Sequence, residues 1–202
     1  MIHVNRFEKE GFKHLKITPD DNPAPDPIAA EKEKPMEDPY IQYYYPDDFA
    51  ICYGCGRLNE HGHQLKSYWE GEECVCRFFP KPYHTGAQNF VYGGLVASLM
   101  DCHGAGTAAA ARHRQDGKTL GKEPLARFVT ASLKIDYLRP VPIDGQIVVR
   151  GTADDIKGRK VTVSMTLTVD DEVCARGTLV AVQIPDDYVA KFNQKGSAAD
   201  TR

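Results

Sequence analysis

The amino-acid sequence predicts an α+β domain in which one antiparallel sheet of five to six strands wraps around a single long central helix. Three observations carry that expectation. Residues 93–113 place small and apolar side chains on every side, from Leu95, Val96 and Leu99 to the alanines at 108–111. A helix without a polar face must be enclosed rather than laid on a surface. Strand-like runs flank this segment, two before it and four after it, separated by turn signals. Their order is a hairpin, one helix, then a meander, and short connections of that kind join antiparallel strands.

Length and composition allow one such domain with an appendage. The chain has 202 residues, of which 42% are hydrophobic and 26% charged, enough for a core of ordinary size. A formal net charge of −3 and a pI near 6.2 give no reason to expect nucleic acid as a partner. No apolar run reaches the length of a membrane span, and the opening MIHVNRFEKEGFKHLK lacks a secretory apolar stretch. A cytoplasmic protein is expected, and its six cysteines should then be free thiols or metal ligands rather than disulfides.

Residues 1–49, rich in proline and acidic side chains from residue 17 onward, read as an N-terminal arm that is partly extended or disordered, with Tyr43 to Tyr45 forming a strap on the domain surface. The domain should run from 50 to 188, followed by a polar tail at 189–202. HQLKSYWE and ECVCRFFP form the hairpin, turning at Glu70, Gly71 and Glu72. The helix is expected from Gly93 to about His113. In the next strand, FVTASLKIDY, strict alternation puts Phe128, Thr130, Ser132, Lys134 and Asp136 on one face and Val129, Ala131, Leu133, Ile135 and Tyr137 on the other. Three further strands follow, with turns at Lys157-Gly158 and Asp170-Asp171.

This pattern resembles the hotdog fold, and the match is closest to the acyl-CoA thioesterases of the phenylacetate-degradation (PaaI) type and their THEM-like relatives. The family's His-Gly-Gly at the helix start, with an aspartate eight residues after the first glycine, is matched here by Tyr92, Gly93, Gly94 and Asp101. FVTASLKIDYLRPV resembles its next motif and CYGCGRLNEHGHQLKSY its domain entrance. With GRKVTV and CARGTLVAV, the similarity covers roughly residues 50 to 184. The resemblance implies hydrolysis of an acyl-CoA thioester by a homodimer or a dimer of dimers. It implies no cofactor beyond the coenzyme A of the substrate.

The residues support that chemistry. An ionised carboxylate within an apolar helix loses hydration and is kept only when paired or used, so Asp101 is the candidate base or nucleophile. The N–H groups around Gly93 and Gly94 lack intrahelical partners and sit at the positive end of the dipole, suited to polarising a carbonyl oxygen. Eight helical residues separate Gly93 from Asp101 by about 12 Å, too far for both to act on one carbon, so a composite site between two antiparallel helices is expected. The resemblance further implies that Thr130 helps orient water. Tyr92 departs from the family's histidine, and Gly86 lies where some relatives carry an amide, for which Gln88 and Asn89 are the candidate substitutes. Asn89 is also a plausible helix cap.

Other candidates carry alternatives. His84 resembles a histidine that precedes the motif and has a structural default. His103, two residues from Asp101, points away from it; it is either a satisfied core histidine or a lining of the acyl pocket. Cys102 reads as core packing. Arg139, Arg159 and Lys160 could form a basic cluster for the phosphates of coenzyme A. Cys52, Cys55, His61 and His63 are zinc-ligand types, but the spacing to His61 is short and no second Cys-x2-Cys follows, so no metal is expected. A non-catalytic acyl-CoA or lipid-binding protein and a hydratase or dehydratase are the competing functions.

Overall fold

A computed structural model describes residues 39–185 and Tyr188. Most of the expected arm (1–38) and the whole expected tail (189–202) lie outside the described residues. Six antiparallel strands form one sheet in the order β1-β2-β6-β7-β8-β5, and a two-stranded sheet pairs β3 with β4. The strands are β1 Ser67–Glu70, β2 Glu73–Phe78, β3 Thr85–Ala87, β4 Phe90–Val91, β5 Phe128–Tyr137, β6 Ile147–Lys157, β7 Lys160–Val169 and β8 Glu172–Gln183. The helix α1, Gly93–Gln115, packs across the concave face of the large sheet. Sheet and helix together are the expected α+β hotdog arrangement.

Turn chemistry sets the register. The β7–β8 hairpin turns on Asp170 and Asp171, both with positive φ (49° and 63°), the type I′ geometry that matches strand twist and that short polar side chains tolerate. Gly71 (φ 67°) and Gly158 (φ 55°) turn the β1–β2 and β6–β7 hairpins. The helix runs two residues beyond the expected end. Arg112, His113 and Arg114 lie in its last turn, favourable for the dipole, and Gly117 (φ 70°) follows in the left-handed region that ends helices.

Two local expectations are corrected. Strict alternation in β5 fails, because a bulge at Ala131 lets Thr130 face Ala181 while Ser132 faces Val180. An extra residue reverses the inward parity. Thr130 therefore shares the helix-facing side with Leu133, Ile135 and Tyr137, which pair with Leu179, Gly177 and Ala175. The second correction concerns residues 40–49. Ile41–Tyr44 forms a 3-10 turn in which Ile41 and Gln42 are fully buried against the domain. Core packing starts well before residue 50.

The helix is not enclosed on all sides. Leu95, Val96, Leu99, Met100, Cys102, His103 and residues 106–111 are buried, but Gly93 and Gly94 are exposed. Ala97, Ser98, Asp101 and Ala105 are half-buried along one line. These positions recur at three- and four-residue intervals, so they form a partly open stripe on one side of the rod.

Candidate active site

Asp101 lies in that open stripe, beside β5. Thr130 Oγ1 donates to its Oδ1 at 2.6 Å, a hydrogen bond that the Ala131 bulge makes possible. The hydroxyl holds one carboxylate oxygen and can still accept a proton from a neighbouring donor such as water. At the other end of the stripe, Tyr92 occupies the N-cap position without capping through its side chain. Its backbone N–H donates to His84 O at 2.9 Å, and Leu95 N–H returns to Tyr92 O at 3.0 Å. The Tyr92 ring lies over Gly94 so closely that a Cβ there would overlap it, which is why position 94 needs glycine. Tyr137 Oη donates to Gly93 O at 3.0 Å and ties β5 to the helix start.

The remaining candidates separate into those that shape this end of the molecule and those remote from it. Gln88 and Asn89 are exposed and form the β3–β4 turn, with Asn89 at φ 68°. Asn89 is thus a turn residue and not the helix cap, which corrects the expectation. Its carbonyl accepts from Ile143 N–H at 3.0 Å, pinning the turn to the loop after β5. Gly86 packs directly beneath Tyr92, where a Cβ would crowd the Tyr92 Cα. His84 is buried, and its Nδ1 accepts from Lys81 N–H at 3.0 Å. Desolvation, with help from His63 and Lys81, lowers its pKa, so it stays neutral while it holds the Tyr92 entry strand.

His103 does not line a pocket. It is 0% exposed; its Nδ1 meets Ser67 Oγ at 2.9 Å and its Nε2 meets Cys74 O at 3.2 Å. A carbonyl can only accept, so Nε2 carries the proton and Nδ1 accepts from the hydroxyl. Gln42 completes the chain, with Nε2 donating to Ser67 Oγ at 3.0 Å and Oε1 accepting from Ser67 N–H at 2.9 Å. Burial lowers the His103 pKa to about 4. The imidazole is a neutral, fully engaged core group.

Nor do the basic residues form one cluster. Arg139 pairs with Glu172 at 3.5 Å and follows Tyr137, near the start of α1. Arg159 and Lys160 belong to the β6–β7 turn, which Arg112 holds against the end of α1 through Gly158 O at 2.6 Å. A helix of 23 residues separates the two groups. A groove lined by Glu73, Lys134, Arg150, Ser164 and Arg176 among others lies on the outer face of the sheet, away from Asp101.

The metal-ligand expectation also changes. Cys52, Cys55 and Cys102 bring their three Sγ atoms within 4.8 Å of one another, and neither His61 nor His63 belongs to this group. His63 instead packs edge-on against Tyr53, Phe78 and His84. Hydrogen bonds from Cys102 and Cys55 lower the Cys52 pKa to about 2, while hydrogen bonding to Cys52 and Cys55 raises that of Cys102. Sequence reading missed this cluster, the Gln42–Ser67–His103 chain and Tyr137. The first had half a signal in Cys-x2-Cys, the second none, and the third only its place on the apolar face of a strand.

Comparison with known proteins agrees with this architecture. The profile of the Thioesterase superfamily matches residues 88–176, from the turn before α1 into β8. A crystal structure of a Thioesterase superfamily protein from Shewanella loihica PV-4 is 46% identical, covers 63% of this chain and 96% of that one, and superimposes with a TM-score of 0.51. The chain belongs to the thioesterase superfamily. Among curated relatives, Acyl-coenzyme A thioesterase THEM4 of Xenopus laevis is 31% identical over 98 residues, 48% of this chain and 38% of that protein. The chain spans about a third to a half of the length of the curated relatives it matches. A Streptococcus mutans protein bound to acetyl CoA is 14% identical, covers 63% of this chain and 96% of its own, and shares the fold with a TM-score of 0.50.

Proposed function

We propose that this protein hydrolyses acyl-CoA thioesters at a site shared by two copies of the chain, with Asp101 taking a proton from the attacking water. The observation that carries the proposal is the half-buried Asp101, the one carboxylate of α1, held by Thr130 Oγ1 at 2.6 Å and open along the stripe that leads to Gly94. A carboxylate in such a setting that pairs with no cation among the described residues is suited to act as a base.

The second component is the helix start. Gly93 and Gly94 are exposed there, and their N–H groups belong to the first turn, where no intrahelical acceptor exists. They would stabilise the oxyanion that develops on the thioester carbonyl. Within one chain these N–H groups lie about 12 Å along the axis from Asp101, whereas attack requires both within about 3 Å of the reacting group. A second copy resolves the mismatch. β5 is an edge strand of ten residues with Val129 and Tyr137 exposed, and Leu138 and Tyr92 are exposed nearby. Such an edge is suited to antiparallel pairing about a twofold axis, which would set the two α1 stripes side by side. The names of the THEM4 relatives and the acetyl CoA in the Streptococcus mutans structure support acyl-CoA as the substrate class.

A hydratase would need an imidazole at the reacting carbon. His103 is fully buried with both nitrogens engaged, and Tyr92 stands where the family motif has histidine. The test is thiol release from a panel of acyl-CoAs, combined with light scattering to measure the mass in solution. Turnover by a dimer is expected. Mixing inactive Asp101→Asn with inactive Gly94→Val subunits should restore roughly a quarter of wild-type activity, because half of the random dimers are mixed and each mixed dimer has one intact site. No recovery would mean that each chain works alone, and no turnover of any thioester would leave a binding protein. A single turnover in 18O water that labels Asp101 itself would assign direct attack instead of base catalysis.

A further inference from the structure

The cysteine cluster has no part in the chemistry above, although Cys102 follows Asp101 in the chain. We propose that Cys52, Cys55 and Cys102 form a three-thiolate site for a soft divalent cation, zinc being the best match, with a water in the fourth position on the exposed side of Cys52. Four observations converge on it.

The first is distance. Cys52 Sγ and Cys102 Sγ are 3.8 Å apart, and all three sulfurs lie within 4.8 Å. Zinc–sulfur bonds of about 2.3 Å at tetrahedral angles put neighbouring sulfurs about 3.8 Å apart, whereas a disulfide needs about 2.05 Å. The second is the loop that carries two of the ligands. In Cys52-Tyr53-Gly54-Cys55-Gly56 a single tight turn brings two of the three sulfurs to the group. Gly56 N–H closes the turn on Cys52 O at 2.8 Å. A closed turn fixes the spacing of its two sulfurs in advance, which orients them as ligands. The third is close approach. Gly54 rests on Cys102 so tightly that a Cβ there would overlap Cys102 Sγ, so the loop can deliver both its sulfurs to the helix only because residue 54 is glycine.

The fourth is access. Cys55 and Cys102 are buried while Cys52 is exposed, so an ion has a way in and an open coordination position remains. All six cysteines are free thiols, and Cys74, Cys76 and Cys174 lie outside the group. Three soft ligands favour zinc over magnesium or calcium, which take oxygen. A bound ion would tie the entry loop to the helix turn that bears Asp101.

The site is tested by titrating the full-length, reduced, untagged chain anaerobically with Co(II) alone and then displacing the cobalt with Zn(II). One equivalent per chain is expected, with sulfur-to-cobalt charge-transfer absorption in the near ultraviolet and the strong visible bands of tetrahedral cobalt. Cys52→Ser alters an exposed side chain and should weaken uptake by more than about a hundredfold, beyond the roughly 10–100-fold effect of losing a supporting residue. Cys102→Ser should abolish the charge-transfer band, and Cys174→Ser should leave it intact. The proposal is overturned by the lack of a charge-transfer band, by uptake unchanged in Cys52→Ser, or by a Cys52–Cys102 disulfide as the state isolated from cells. The readout is optical and involves no thioester, so the metal site and the hydrolase reading can each fail independently.

Discussion

Asp101 and His103 are two residues apart on one helix, yet they occupy opposite environments. Asp101 is half-buried, with Thr130 as its hydrogen-bond donor, on a stripe open to the surroundings. His103 is fully buried, and both ring nitrogens are satisfied by a chain running through Ser67 to Gln42. Two steps of a helix turn the side chain by roughly 160°, enough to pass from the open side to the closed one. The pair teaches that a polar residue in an apolar helix is not a functional signal by itself. A core group finishes with every donor and acceptor matched, whereas a working group keeps capacity in reserve and a path to reach it.

The sharpest way to break this contrast is to neutralise each member. Asp101→Asn should reduce kcat/KM for an acyl-CoA by roughly 10²–10⁴-fold, the usual contribution of a general base, with little change in Tm. His103→Ala should do the reverse. It removes a buried ring together with its hydrogen bonds to Ser67 Oγ and the Cys74 carbonyl, at a cost of about 3–5 kcal/mol in stability by urea unfolding, with kcat/KM per folded molecule little changed. If the two effects changed places, the assignments would be reversed.

Acid titration sharpens the same comparison at smaller scale. The His103 pKa falls from 6.5 to about 4 on burial, so the unfolded chain takes up the proton first. The corresponding stability is complete above pH 6.5 and drains away as pH falls toward 4, by roughly 3 kcal/mol in total. His63 and His84, whose pKa values are also lowered by desolvation, act in the same direction. Unfolding midpoints measured between pH 7 and 4 should show that decline, and most of it should vanish in His103→Gln. The smallest effect is expected at Thr130→Val. Loss of one hydrogen bond to a charged group costs about 1.5–3 kcal/mol at most, so kcat should fall roughly ten- to a hundredfold while KM changes little. An unchanged kcat would remove Thr130 from the site.

Much of this could be read from residue order. The long central helix, the hairpin before it, the meander after it and the odd carboxylate at 101 all follow from periodicity and hydration, which act over a few residues. The β5 face reversal did not, because a bulge at Ala131 arises from pairing with β8 rather than from any local preference. Gln42 was hidden within an acidic, proline-rich stretch whose composition says nothing about the single turn that packs.

The sequence alone determined the class of fold, the extent of the helix to within two residues and the identity of its one carboxylate, since burial patterns and glycine placement are written along the chain. Only the tertiary structure decided that Thr130 reaches Asp101, that His103 closes on Ser67 and Cys74, and that Cys102 joins Cys52 and Cys55. Each of these meetings joins segments far apart in the chain, and which distant groups come within 3 to 4 Å is settled by strand register and helix rotation, to which local composition is blind.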